Sequence, residues 1–211
     1  MLYNLHTHES SNSKEVLEIV NQYPYDFNSE VAYFSIGIHP WYIDTNRTDE
    51  YLKKIEEKLI MANCLALGEC GLDKRIDIPL EIQQEVFEKQ LTLAQKHKKP
   101  VILHCVAAYQ EVIAIKKKMN IKEPMIVHGF SKNLQVAQSL LENGFYLSFG
   151  KYLLRNPELA SVFLQVPDDR FLLETDTISE TILAVYDKAA SIKKIDIEKQ
   201  VSKNFTHIFK I

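Results

Sequence analysis

PVILHC, residues 100–105, is an unbroken apolar run that stops on a histidine and a cysteine. A strand buried on one face alternates apolar and polar residues, so a continuous run of this length suits a parallel strand covered on both faces. Runs of similar form recur as LYNLHTH (2–8), VAYFSIGIH (31–39), CLALGE (64–69), PMIVHGF (124–130), GFYLSFG (144–150) and RFLLETD (170–176). Between them lie stretches read as helical at 14–21, 48–61, 79–97, 107–118, 132–143, 157–164 and 179–209. The clearest is 79–97, where Pro79 suits a first helical turn and Phe87, Leu91 and Ala94 recur at helical spacing. In the last stretch Ser179 and Asp196 read as helix N-caps. This alternation predicts an α/β fold with a parallel sheet, closed as a TIM-type barrel or open and doubly wound. Only seven strands are evident, so a barrel would carry an incomplete or irregular eighth unit.

The chain has 211 residues, 46% of them hydrophobic and 25% charged, and no linker rich in Gly, Pro or Ser divides it. That predicts one globular domain over 1–211. A formal net charge of -3 gives no general attraction for a polyanion, so nucleic acid would need a local basic patch. The lysine runs at 96–100 and 115–119 fall on stretches read as helices, where they suit a solvated face. Cys64, Cys70 and Cys105 lie in apolar runs without Cys-x-x-Cys spacing and read as free thiols of a reducing compartment. The N-terminus has no basic segment followed by a long apolar run, and no apolar stretch reaches membrane-spanning length. A cytoplasmic protein with no membrane and no obligate protein partner is expected.

The strand ends carry the chemistry. In order they are His8, His39, Glu69, His104, His128, a position near Phe149, and Asp176, with steps of 21 to 35 residues, each the length of a βα unit. His6 and His8 share a strand face because successive side chains alternate. In a barrel the C-terminal strand ends meet at one mouth, which would gather these imidazoles and carboxylates. Histidine nitrogen with carboxylate oxygen and no cysteine suits Zn, Mn, Fe or Ni better than Mg or Ca. Six ligands exceed the needs of one catalytic ion and suit two, bridged by a carboxylate and a hydroxide that attacks phosphorus or carbon.

HTH (6–8), GIHPW (37–41), LGECGLD (67–73), PVILHC, IVHGFS (126–131) and LLETD (172–176), in this order and spacing, resemble the motifs of the TatD-related metal-dependent hydrolases. QQEVFEKQLTLAQKHKKP (83–100) is similar to the family's helix before the fourth strand, and VSKNFTHIF (201–209) to its closing Asn-x-x-x-x-Phe segment. The resemblance covers essentially the whole chain. It implies a TIM-type barrel hydrolase with two divalent ions, Mg, Mn or Zn, similar to the family's DNases. By position, His6, His8, Glu69 and Asp176 would hold one ion and Glu69, His104 and His128 the other, with Glu69 bridging. Glu69 and Asp176 are then the catalytic carboxylates, Asp176 also orienting or deprotonating the attacking water, and His39 has a substrate-side role.

Three departures from the family pattern bear on the substrate. Val106 stands where many relatives carry Arg, the segment TISETILAVY after Asp176 lacks the usual proline and longer loop, and the chain is short. Replacement phosphate contacts are sought in Lys132 and Arg155, with Lys74 and Lys151 as further candidates, and Phe130, Trp41 and Tyr152 could stack on a base. The expected activity is phosphodiester hydrolysis, as a DNase or 3′-to-5′ exonuclease on DNA ends. The alternative is a small phosphoester, carboxylic ester or amide at the same site, and a third reading is a binding protein whose metals are structural.

Overall fold

The computed structural model describes residues 1–211. Eight strands form one sheet in chain order: β1 (Leu2–Thr7), β2 (Val16–Gln22), β3 (Phe34–Ile36), β4 (Cys64–Asp73), β5 (Val101–Val106), β6 (Met125–Val127), β7 (Phe145–Phe149) and β8 (Phe171–Leu173). β1 with β2, β3 with β4, β4 with β5 and β7 with β8 pair in parallel. A parallel bridge from Asp176 to Thr7 returns the chain beyond β8 to β1. A parallel sheet in chain order that returns to its first strand is a TIM-type α/β barrel.

The eighth strand is β2, where residues 14–21 were expected to be helical. Val16, Ile19 and Val20 satisfy helical spacing as well as strand burial, so periodicity alone cannot decide so short a run. The preponderance of β-branched residues and the length of 7 residues are the signals that favour a strand. The step from His8 to His39 therefore holds two strands, β2 and β3, joined by loops, and the first α-helix of the chain, α1 (Thr48–Leu59), comes only after β3. The expected strand at 31–39 shortens to β3, and His39 instead caps a 3-10 turn over Pro40–Tyr42.

The chain packs as two compact units, one of Met1–Val20 with Ile126–Ile211 and one of Asn21–Met125. In the second, α2 (Leu80–His97) buries Phe87, Leu91 and Ala94, the face expected from sequence, together with Gln83 and Gln90. These two glutamines, seven residues apart on one helix face, act as clamps on strand ends. Gln83 receives the Asp73 amide at 2.8 Å and donates to the Asp73 carbonyl at 3.0 Å. Gln90 treats Ile38 likewise, at 2.7 and 3.1 Å. Both satisfy backbone groups that would otherwise be buried without partners. α3 (Tyr109–Lys118) follows β5.

In the first unit, α4 (Leu134–Glu142) is capped by Asn133, and α5 (Lys151–Arg155) and α6 (Pro157–Gln165) follow β7. The region expected as one helical stretch is two helices, α7 (Ile182–Lys193) and α8 (Ile197–Phe209). Lys194, in the left-handed region at φ 55°, ends α7, and Asp196 caps α8 as expected. The N-cap of α7 is Thr181 instead of Ser179, its side chain accepting from the Ala184 amide. Asn204 of α8 donates to the carbonyls of Asp168 and Phe171 at 2.7 and 2.8 Å, tying the helix to the start of β8. Phe149, Phe163 and Phe171 pack in series with ring centroids 4.8 and 4.9 Å apart. No helix is long and apolar enough to cross a membrane.

Candidate metal centre

In the Asn21–Met125 unit, the Gly-Glu-Cys-Gly segment of β4 brings Glu69 against β5. Gly68 and Gly71 have φ of +140° and +142°, and a Cβ on either would overlap the carbonyl oxygen of Ile102 or His104. Only glycine permits this approach. The Glu69 amide donates to Asn21 Oδ1 at 2.8 Å. Its carboxylate is buried, and Oε1 lies 2.9 Å from His104 Nδ1 and 3.2 Å from His39 Nε2. His39 Nδ1 accepts the Trp41 amide at 3.1 Å, so in the neutral ring Nε2 carries the proton and donates to Glu69.

His104 is held from its other side. Its Nε2 lies 3.2 Å from Asp73 Oδ2, which also accepts the Trp41 indole N–H at 2.8 Å, while Asp73 Oδ1 accepts the Arg75 amide at 2.8 Å. Burial pushes the Asp73 carboxyl up, but the Trp41 and Arg75 hydrogen bonds and the His104 contact outweigh it and hold the group below its ordinary range. An ionised Asp73 is an acceptor, so it fixes the His104 proton on Nε2 and turns the Nδ1 lone pair toward Glu69 Oε1. The 2.9 Å contact of Nδ1 with Glu69 Oε1 is satisfied by a proton on that nitrogen or by a cation beside the pair. The carboxylate–imidazole pair is also the usual outer support of a metal-binding histidine.

In the other unit, His6 and His8 stand at the end of β1. Asp176 is stitched to that end by its own backbone: its amide donates to the His6 carbonyl at 2.9 Å and its carbonyl accepts from the His8 amide at 3.3 Å. Asp176 is left-handed at φ 58°, a conformation that aspartate tolerates better than most residues. Its Oδ1 lies 3.8 Å from His6 Nε2 and 3.5 Å from His8 Nε2, and its Oδ2 accepts from Lys151 Nζ at 3.2 Å. The His128 ring lies 4.5 Å from that of His6. The buried Glu174 accepts the Gly129 amide at 2.8 Å on the oxygen that lies 3.3 Å from His128 Nδ1, so Nε2 is the atom through which His128 could ligate a metal.

In two groups, His6 with His8 and Asp176 and His39 with Glu69 and His104, the candidate atoms of each group therefore lie within 4.8 Å of one another, His39 serving in its group as the support of Glu69. Atoms bound at about 2.1 Å to one ion sit roughly 3.0–3.4 Å apart; the Glu69 contacts at 2.9 and 3.2 Å are near that range, and the Asp176 contacts at 3.5 and 3.8 Å lie above it. The donor set fits divalent metal. Asp73 and Glu174 were missed from sequence, although each lies an even number of residues from a recognised carboxylate, at 69 and 73 and at 174 and 176. Strand alternation over such spacings would have flagged both.

The other expected contacts are scattered. Arg155 is on the surface, paired with Glu180 at 2.8 Å, and Lys74 is paired with Glu111 at 2.5 Å. Lys132 is half-buried in the segment before α4. Phe130, expected to be available for stacking, is buried against Phe149 with centroids 5.6 Å apart, because its apolar ring completes the phenylalanine series. All three cysteines are free and buried, as expected.

Residues 2–210 match the family model described as TatD related DNase. An uncharacterized metal-dependent hydrolase of Bacillus subtilis (strain 168), YabD, is 35% identical over 165 residues, 76% of this chain and 62% of that protein. The protein of Edwardsiella piscicida named 3′-5′ ssDNA/RNA exonuclease TatD is 32% identical over 170 residues, 78% of this chain and 63% of its own length. The chain thus spans less than two thirds of these relatives. The crystal structure of the TatD homolog YjjV from Escherichia coli K12 superposes with a TM-score of 0.85 at 23% identity, covering 100% of this chain and 98% of that one, which establishes the shared fold. With the motifs, the barrel and the two ligand groups in place, the chain belongs to the TatD-related DNase family.

Proposed function

We propose that residues 1–211 act as one catalytic domain, a metal-dependent hydrolase of phosphodiester bonds that works as a DNase or 3′-to-5′ exonuclease on single-stranded DNA ends. The observation that carries this reading is the pair of acceptor atoms on Glu69 and His104, held together by Asp73 and His39, an arrangement that suits a cation. The exonuclease name of the Edwardsiella relative supports the substrate class. The proposed ligands of two divalent ions, Mg, Mn or Zn, are His6, His8, Glu69, His104, His128 and Asp176.

When bound, such ions supply Lewis acidity toward a phosphoryl oxygen and lower the pKa of water. The rest falls to the side chains. Asp176 accepts the proton of the attacking water, its carboxylate kept in position by its backbone bonds to β1. Lys151 beside Asp176 is placed to meet the phosphate, with Lys132 and Arg155 as outer contacts once Arg155 leaves Glu180. His39 holds Glu69 in place and stands on the substrate side through the aromatic residues that follow it. Glu174 and Asp73 fix the tautomers of His128 and His104.

The engagement of Arg155 by Glu180 and of Lys74 by Glu111 favours a second reading, in which the substrate is a small phosphoester, carboxylic ester or amide. Cleavage of single- and double-stranded DNA with Mg, Mn or Zn, beside Asp176→Asn, tests the first reading. Metal-dependent cleavage lost in the variant is the expected result. Turnover confined to small esters or amides would move the assignment to the second.

A further inference from the structure

The Trp41 indole is 54% exposed, yet its one polar atom is committed to the buried Asp73 at 2.8 Å, and its ring stands edge-on to His39 and His104 with centroids 5.1 and 5.8 Å away. A large aromatic ring held rigidly and left half in water forgoes burial that would have stabilised the fold. Beside it, Tyr42 is 46% exposed and meets the His39 ring at 5.6 Å. Tyr25, 42% exposed, meets Tyr42 at 6.0 Å and stacks on Tyr23 at 5.2 Å. An exposed aromatic track therefore runs outward from the Glu69–His104 group.

We infer that Trp41, continued by Tyr42 and Tyr25, is a stacking subsite for a nucleobase of the substrate, next to the bond that is cut. The inference rests on the phosphodiesterase reading, because the part of a polynucleotide that flanks the scissile phosphate is a sugar bearing a base. Aromatic faces accept any base, so the subsite favours single-stranded ends without selecting sequence. Holding the indole by Asp73 lowers the entropy lost when a base stacks.

Trp41 is the sole tryptophan of the chain, so its fluorescence reports this subsite alone. Titration of the purified protein with deoxyadenosine 5′-monophosphate should quench it saturably. Deoxyribose 5-phosphate, which carries the same sugar and phosphate without the base, should need at least about fivefold more. In a separate binding measurement with a labelled single-stranded oligonucleotide in EDTA, Trp41→Ala should weaken affinity about tenfold while Trp41→Phe stays within about threefold of the parent. Phenylalanine keeps a ring face and loses the bond to Asp73, so an equal loss in both variants would assign Trp41 to holding Asp73 and overturn the inference. Equal response to the nucleotide and the base-free phosphate would overturn it without any variant. Nucleotide-specific quenching without DNA cleavage would uphold the subsite and count against the nuclease reading. DNA cleavage together with equal quenching by the nucleotide and the base-free sugar phosphate would do the reverse.

Discussion

The two ligand groups are built to different tolerances. Around Glu69 the side chains are sealed: Glu69 is 3% exposed and His39 5%, and Asn21, Trp41 and Asp73 fix the backbone or ring atoms around them. Around Asp176 the group is open, with the His8 side chain 28% and the Asp176 side chain 15% exposed, and Asp176 is held through its backbone. The difference teaches a division of labour. On the reading proposed above, the cross-braced group would hold an ion, and the more open carboxylate beside a lysine would meet water and substrate.

The largest effect should come from the sealed side. Glu69→Gln removes a charged ligand from a buried site, so metal content should fall and turnover should drop beyond the roughly 10- to 100-fold typical of an outer support. On the open side, Asp176→Asn should lower kcat by about 10²- to 10⁴-fold and weaken only the ion held with His6 and His8, with thermal stability near the parent. Asparagine also tolerates the left-handed backbone, whereas Asp176→Ala should cost about 1 kcal/mol of stability in addition. Asp73→Asn, which weakens the brace on His104, should cost about tenfold in activity or metal affinity, and metal titration beside a rate assay would read it. Equal behaviour of the Glu69 and Asp176 variants would break the comparison.

Smaller effects sharpen it. Gln90→Leu leaves the Ile38 amide and carbonyl buried without partners and should cost about 1–3 kcal/mol in denaturant unfolding. All three cysteines lie in the sealed unit, on β4 and β5. Burial pushes the Cys64 and Cys105 thiols up to about 12, and Cys70 rises well above its ordinary value. Alkylation at pH 8 should therefore be slow in the folded protein and fast in denaturant. The folded values lie above the ordinary 9.0, so these thiols leave stability unchanged at neutral pH and reduce it as the pH rises above about 9, where only the unfolded chain ionises readily.

Most of the barrel is legible in the sequence because a parallel strand buried on both faces reads as an apolar run, and a polar residue at its end stands out. β2 escaped because Val16, Ile19 and Val20 fall at helical spacing, while the strand is buried on both faces and shows no alternation. The expected ligand positions were legible for the same reason as the strands, since each stands at or just beyond an apolar run. Asp73 and Glu174 were hidden among residues that already had an explanation, and the link from Asp73 to Trp41 crosses 32 positions of sequence. Tyr25 is placed beside Tyr42 by a loop whose path follows from packing and has no periodic signature.

Metal content of the purified protein, measured by elemental analysis beside Glu69→Gln and Asp176→Asn, tests the central claim most directly. About two equivalents in the parent, a partial loss confined to one ion in Asp176→Asn and a larger loss in Glu69→Gln, which touches both, is the predicted result. A parent protein that binds no divalent metal, or an Asp176→Asn protein that loses metal as fully as Glu69→Gln, would contradict it.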